Sequence, residues 1–184
     1  MLVYVARHAE AEHNVRDLSH DTGVVDVSLT ATGITQATIL AEKLRSSRLE
    51  AIYVSQLLRT KQTADIINTT HDVDLIPDAR INDIVTGMAG RPFGEFRQVL
   101  MASPDPWNTR FGNGESFEEE KARTIAFLHD LKKKDSHCVL VVTHGGVANI
   151  MYGLTHNLNN EQIFNHPIEN TALFSFDLDK IELD

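Results

Sequence analysis

A single cysteine, Cys138, in a chain of 184 residues has nothing to pair with inside that chain. Neither an intrachain disulfide nor a thiolate-built zinc cluster is available to it. It lies in the apolar run Cys138-Val139-Leu140-Val141-Val142, where a buried, unreactive thiol is expected. Long apolar stretches are also missing. None approaches the roughly 18 residues a membrane-spanning helix needs. The apolar opening, Met1 to Ala6, runs at once into Arg7, His8 and Glu10. That is too short for a secretion signal, and no basic segment precedes it. Positive charge is scarce too, with 17 Lys and Arg against 26 Asp and Glu for a net charge of −9. Nucleic acids and anionic membrane surfaces both reward clustered cations, so neither is an expected partner. The expectation is a soluble, cytoplasmic chain. If it handles an anion, it must build a local positive pocket against its own field.

What is present is ordinary for a globular protein: 42% hydrophobic and 23% charged residues. The length suits one domain, residues 1–184, burying roughly 70% of the surface of its unfolded form. No repeat, low-complexity tract or linker divides it, and nothing in the sequence assigns an oligomeric state. Short apolar runs alternate with helical periodicity, which predicts an α/β fold. The expected architecture is a three-layer α/β/α sandwich on a mostly parallel central sheet. Leu2–Ala6 reads as the first strand, and Thr30 as the N-cap of a helix carrying Ile34, Ala37, Leu40, Ala41 and Leu44. Ala51–Val54 is the second strand, with Ser55 capping a helix that carries Leu58, Ala64, Ile66 and Ile67. Val73–Ile76 is a weaker third strand. Residues 78–115 are irregular apart from a short helix near 93–102, and read as a lid or specificity segment. Ser116 and Glu119 form a capping box opening a helix with Ala122, Ile125, Leu128 and Leu131. The run Cys138–Val142, apolar on both alternations, is the central strand, and a helix to about Leu154 follows it. Ala172–Leu178 is an edge strand.

Two strands end in the same way, with a histidine immediately after the apolar run. His8 follows Arg7 after the first strand, and His144 follows Thr143 after the central one. Ligands collect at the carboxyl ends of strands in open α/β sheets, so both histidines are placed to share a pocket. Ser55 and Arg59 come from a third strand end. Arginine's planar fork matches phosphate oxygens with paired hydrogen bonds. A histidine held at one ring nitrogen by a backbone carbonyl offers the other as a nucleophile. The second histidine, followed by Gly145-Gly146 and a helix N-terminus, can donate to oxygens as charge builds. This set points to phosphoryl transfer, which needs positioning and charge compensation and no compulsory metal. Each residue alone has a plainer reading: a structural histidine, a surface arginine, a tight turn. His8 and His13 are five apart, which fits neither the His-x-x-x-His helix spacing nor a zinc signature. No metal and no cofactor are expected.

Five segments then resemble one family in order. Arg7-His8-Ala9-Glu10 with Asn14, Leu29-Thr30-x-x-Gly33-x-x-Gln36-Ala37, and Ser55-Gln56-Leu57-Leu58-Arg59-Thr60-Lys61-Gln62-Thr63-Ala64 come first. Gly114-Glu115-Ser116 with Arg123, and Thr143-His144-Gly145-Gly146, complete the series, with Asn170 near the end. The chain is similar to the histidine phosphatase superfamily, the phosphoglycerate-mutase-like proteins. That resemblance implies His8 as phosphoryl acceptor, with Arg7, Arg59, His144, Asn14 and Gly145 around the phosphate. Thr30, Gly33 and Gln36 are read as capping and packing residues, and Glu115 as an anchor of the capped helix. The family often supplies its general acid as a Glu after the third strand, and Asp83 stands in that place here, one methylene shorter. Ala9 for Gly and Ala11 for the frequent Thr are further departures. The favoured expectation is a metal-independent phosphomonoesterase for a small phosphorylated metabolite. Its alternatives are a mutase, or a non-catalytic phosphate-ligand binding protein. Arg80, Arg91, Arg97 and Arg110 in the variable segment show no arrangement demanding a carboxylated sugar acid.

Overall fold

The computed structural model describes residues 1–19, 27–166 and 168–183. Five strands form one sheet: β1 (Leu2–Arg7), β2 (Ala51–Val54), β3 (Asp74–Pro77), β4 (Cys138–Thr143) and β5 (Leu173–Asp177). Their spatial order is β3-β2-β4-β1-β5, all parallel except β5, which runs antiparallel to β1. β4 is therefore central, as its double-sided apolar run predicts. Val139 and Val141 pack on one face with Phe127, Leu128, Val147 and Met151, while Leu140 and Val142 pack on the other with Leu40, Leu44 and Ile67. The two faces are covered by α5 (Phe117–Leu131) and α6 (Gly145–His156) on one side, and by α2 (Ala31–Leu44) and α3 (Leu58–Asn68) on the other. This is the expected layered sandwich. Among the described residues three shorter α-helices accompany the covering ones, α1 (Glu12–Arg16), α4 (Phe93–Met101) and α7 (Asn160–Asn165).

Strand register fixes the site. Arg7 stands opposite Thr143 at the ends of β1 and β4, so His8 and His144 follow side by side. Val54 stands opposite Val142, so Ser55 is delivered to the same edge from β2. The ladder continues one step past each end, through His8 N–H to the Thr143 carbonyl (2.9 Å) and Ser55 N–H to the Val142 carbonyl (3.2 Å).

Several local expectations are corrected. Ser55 does not cap α3: the N-cap is Leu57, and the helix has no side-chain cap there. The strand-end serine is used by the site instead. Ile34 is 52% exposed, and Gly33 takes its place on the buried face of α2. Ala122 is exposed on α5, where Phe117, Glu120, Thr124 and Phe127 join Leu128 and Leu131 in facing inward. Cys138, the first residue of β4, is half-buried rather than fully enclosed, and burial raises its thiol pKa. The third strand runs through Pro77, which its edge position tolerates. The α7 helix, missing from the sequence reading, carries a capping box of Asn159 and Gln162.

The loop after His8 is clamped from two helices. Thr30 caps α2 by accepting from Gly33 N–H (3.0 Å) and donates to the Glu10 carboxylate (2.6 Å). Gln36 accepts from Glu10 N–H (2.9 Å), and Thr63 of α3 accepts from Ala9 N–H (3.1 Å). A Cβ on Gly33 would lie 2.0 Å from the Glu10 carbonyl oxygen, so only glycine lets α2 approach this loop. Thr30, Gly33 and Gln36 thus cap and pack, and what they hold still is the backbone beside His8.

Candidate active site

His8 is buried at the end of β1. Its Nδ1 lies 2.7 Å from the Ala9 carbonyl, which can only accept, so Nδ1 carries the proton. Its Nε2 then holds a lone pair, and Arg59 Nε donates to it at 3.3 Å. Burial, followed by the nearby His144, Arg59 and Arg7, lowers the His8 pKa well below the ordinary histidine value. The ring is therefore neutral and oriented, with the Nε2 lone pair held by Arg59.

Arg59 is 0% exposed and reaches Asp83 with a second arm, at 2.9 Å. Arg7 donates to the Ile168 carbonyl at 2.5 Å, and its Nε is buried without a hydrogen-bond partner. Desolvation lowers its pKa, against the pull of Asp83 and Glu169. An anion is the natural partner for such a group. His144 lies edge-on to His8, with ring centroids 5.2 Å apart. Ser55 donates its hydroxyl hydrogen to Asn82 Oδ1 (3.0 Å), so Ser55 Oγ accepts from His144 Nε2–H at 2.7 Å. That leaves His144 Nδ1 buried without a hydrogen-bond partner, 3.6 Å from Asp83. Burial, then Arg59, His13 and Arg7, lowers the His144 pKa as well.

These groups meet at a cavity of about 440 Å³ lined by Arg7, His8, Asn14, Asp83 and Gly145 among others. Arg59 and His144 stand behind that lining, wholly enclosed. All seven site residues named from the sequence are thus brought to one place. Asn14 is held by its neighbours in the loop. Its Oδ1 accepts from Ala11 N–H (3.0 Å), and its Nδ2 lies 3.1 Å from His13 Nε2. Asn170 donates to the His8 carbonyl at 2.9 Å and so tightens the same loop. Gly145 opens α6 with room for a Cβ, whereas a Cβ on Gly146 would press within 2.6 Å of Glu120. Glu115 pairs with Arg123 through two hydrogen bonds of 2.6 and 2.9 Å, the anchoring arrangement expected of it.

Sequence reasoning missed Asn82, Glu120 and Asn149. Asn82 holds Ser55 and also accepts from Gln56 N–H (2.8 Å), which fixes the hydroxyl that orients His144. Its signal was its place beside Asp83 after the third strand. Thr143 donates to the Ile81 carbonyl at 2.7 Å and ties that segment to the end of β4. Glu120 and Asn149 sit inside amphipathic helices, where a polar residue reads as exposed.

A strand-end histidine with an unprotonated Nε2, a second histidine and two arginines, one of them wholly buried, define a phosphate-handling α/β enzyme. Residues 3–182 match the family model of the histidine phosphatase superfamily, branch 1, and the chain belongs to that superfamily. Phosphoserine phosphatase 1 of Hydrogenobacter thermophilus is 31% identical over 157 residues, covering 80% of this chain and 72% of that one. "Probable phosphoglycerate mutase GpmB" of Proteus mirabilis is 33% identical over 155 residues, covering 78% and 69%. The solved alpha-ribazole phosphatase of Shigella flexneri has a TM-score of 0.82 over 96% of this chain and 90% of that one. At 22% identity that likeness speaks to the fold. The chain is a phosphatase- or mutase-like enzyme that works on phosphoesters. Among the described residues no helix is long and apolar enough to cross a membrane.

Proposed function

We propose that the protein is a phosphomonoester hydrolase that needs no metal and works through a phosphohistidine on His8. The observation that carries this reading is the His8 ring, fixed by the Ala9 carbonyl with Nε2 unprotonated under Arg59. Arg7, Arg59 and the Gly145 N–H hold the phosphate oxygens, His144 joins them once the bound anion draws a proton from solvent onto its Nδ1, and Asn14 supports them through the loop. The His8 Nε2 lone pair forms a P–N bond as the ester P–O bond breaks, and Asp83, carrying a proton taken up from the substrate monoanion, passes it to the leaving oxygen. Water then attacks phosphorus, the P–N bond breaks, and the water's proton passes to Asp83. The substrate phosphate competes with Asp83 for Arg59, which frees Asp83 to turn toward the leaving oxygen.

Selectivity belongs to residues 78–115, which contribute Asp83, Ile84, Thr86, Phe93, Phe96 and Arg97 to the cavity. The substrate is a small phosphorylated metabolite, with phosphoserine the first to try because a curated relative is named for it. The unpaired thiol of Cys138 suits the cytoplasm, and cell fractionation tests that placement. Hydrolysis of p-nitrophenyl phosphate should proceed in EDTA, and an acid-labile phosphohistidine should be trapped in the native enzyme and absent from His8→Ala. Asp83→Asn should slow poor leaving groups by about 10²–10⁴-fold and good ones far less. Turnover unaffected by His8→Ala would refute the mechanism, and equal slowing of both leaving groups would remove Asp83 from its role.

A further inference from the structure

The phosphate-binding groups leave part of the cavity wall without a task. Glu120 lines the same cavity as His8 and Arg7, yet it is 2% exposed. Its Oε1 has no hydrogen-bond partner, and the guanidinium of Arg123 stands 3.7 Å away. Arg123 is already engaged by Glu115 and by the Arg80 carbonyl. The seat for Glu120 is made by Gly146, where any side chain would collide with the carboxyl. Asn149, three residues further along α6, lines the cavity too, and its Oδ1 is likewise buried with no hydrogen-bond partner. Residues three apart share a helix face, so Asn149 sits on the face of α6 that Gly146 turns to Glu120. Two buried acceptor oxygens without partners carry a free-energy cost that a ligand bearing N–H donors relieves.

We propose that Glu120 and Asn149 form a subsite for an ammonium group on the leaving-group side of the substrate, which makes small aminoalkyl phosphates the preferred class. This rests on the hydrolase reading for the phosphate end. The remaining lining agrees in charge. Asp17 and Glu169 also face the cavity, while the cation outside the phosphate cradle, Arg97, stacks 4.9 Å over Phe164 and donates to Asn165. Burial holds the Glu120 carboxyl in its neutral form up to about 8 in the empty cavity, with Arg123 favouring the charged form and Asp83 and Glu115 opposing it. An arriving ammonium supplies a counter-charge at hydrogen-bonding distance, which Arg123 at 3.7 Å does not. The carboxyl proton then leaves to solvent, and the ammonium hydrogens bond to Glu120 and Asn149.

The probes are 2-aminoethyl phosphate, 2-hydroxyethyl phosphate and propyl phosphate, which match in heavy-atom count and differ in the terminal group. For the native enzyme, kcat/KM for the amine should exceed both isosteres by about tenfold or more, the scale of a hydrogen bond to a charged group. Glu120→Gln should bring that ratio to within about twofold of one, whatever the absolute rates, and Asn149→Leu should lower it too. Calorimetry on His8→Ala protein at pH 7, in buffers of different ionisation enthalpy, adds a readout that does not need turnover. Amine binding should release close to one proton more than hydroxyl binding, and Glu120→Gln should abolish the excess. Equal kcat/KM for all three probes, an amine preference that survives Glu120→Gln, or no excess proton release would overturn the subsite. Absence of turnover with every probe would refute the hydrolase reading instead, and the calorimetric comparison would still decide the subsite.

Discussion

Asp83 and Glu120 share one cavity wall but meet opposite surroundings. Asp83 is salt-bridged to Arg59 at 2.9 Å and partly open to solvent, whereas Glu120 is enclosed with its Oε1 unbonded. Carboxyls separated in this way can divide labour, one moving a proton and the other recognising charge. The enclosure of Glu120 has a stability consequence whose sign can be worked out. Its pKa is raised from 4.5 to about 8 in the folded protein. Below 4.5 both states carry the proton; above it the unfolded chain ionises first, so stability is lost as pH rises toward about 8. Glu120→Gln keeps the shape of the neutral acid without that loss. Its stability relative to the native protein should therefore climb steadily from about pH 5 to about pH 8, and not below about pH 4.5. His8 and His144 act in the other direction, removing stability as pH falls below 6.5, but they are present in both proteins and cancel in the difference. Urea unfolding across that range measures it. A pH-independent difference would mean that Glu120 is ionised in the native state.

At the scale of elements, His8, the proposed nucleophile, depends on a contact between a helix and a loop. The α2 helix meets the backbone of Glu10 at Gly33, and the adjoining Ala9 carbonyl sets the proton of His8. Gly33→Ala adds helix propensity, worth about 1 kcal/mol in α2, but forces a methyl into the Glu10 carbonyl. Overpacking of that kind costs about 1–3 kcal/mol or more, so the net effect should be destabilising. Because the displaced loop carries the partner of Nδ1, kcat should fall with it. Thermal unfolding and kcat measured together test this, and a variant more stable than the native enzyme would refute it. Much of this arrangement can be read in the sequence. Apolar runs that end in Arg7-His8, in Ser55 and in Thr143-His144 mark three strand ends, and parallel pairing must bring three adjacent strand ends to one edge. Other parts cannot be read so directly. A serine just before a helix looks like a cap, and only the partners His144 and Asn82 reveal that it orients a ring. Glu120 is flanked by Glu118, Glu119 and Lys121, so its burial follows from the packing of α5 on α6 rather than from periodicity. The five-residue α1 is too short to carry a periodic signal.

For the whole molecule, the deficit of positive charge acquires a definite meaning. The chain carries −9 overall, yet it places Arg7 and Arg59 with two histidines at one edge of its sheet. Arg59 is enclosed and bound to Asp83, so little of its charge is felt at a distance. A phosphate dianion approaching from beyond about 10 Å meets a net repulsive field, and attraction begins only where the paired hydrogen bonds form. Salt screens the first effect strongly and the second weakly, because buried groups are shielded from ions. Raising ionic strength from about 20 to about 300 mM should therefore change kcat/KM for p-nitrophenyl phosphate by less than about twofold, with any trend upward. The measurement requires a salt whose anion does not itself compete for the cavity. A steep fall would mean that the cationic edge projects its field into solvent, and that the acidic body does not govern the encounter. The aminoalkyl probe separates the two ranges further. Its ammonium is attracted by the acidic body at long range, so its kcat/KM should respond to salt less favourably than that of the hydroxyl isostere.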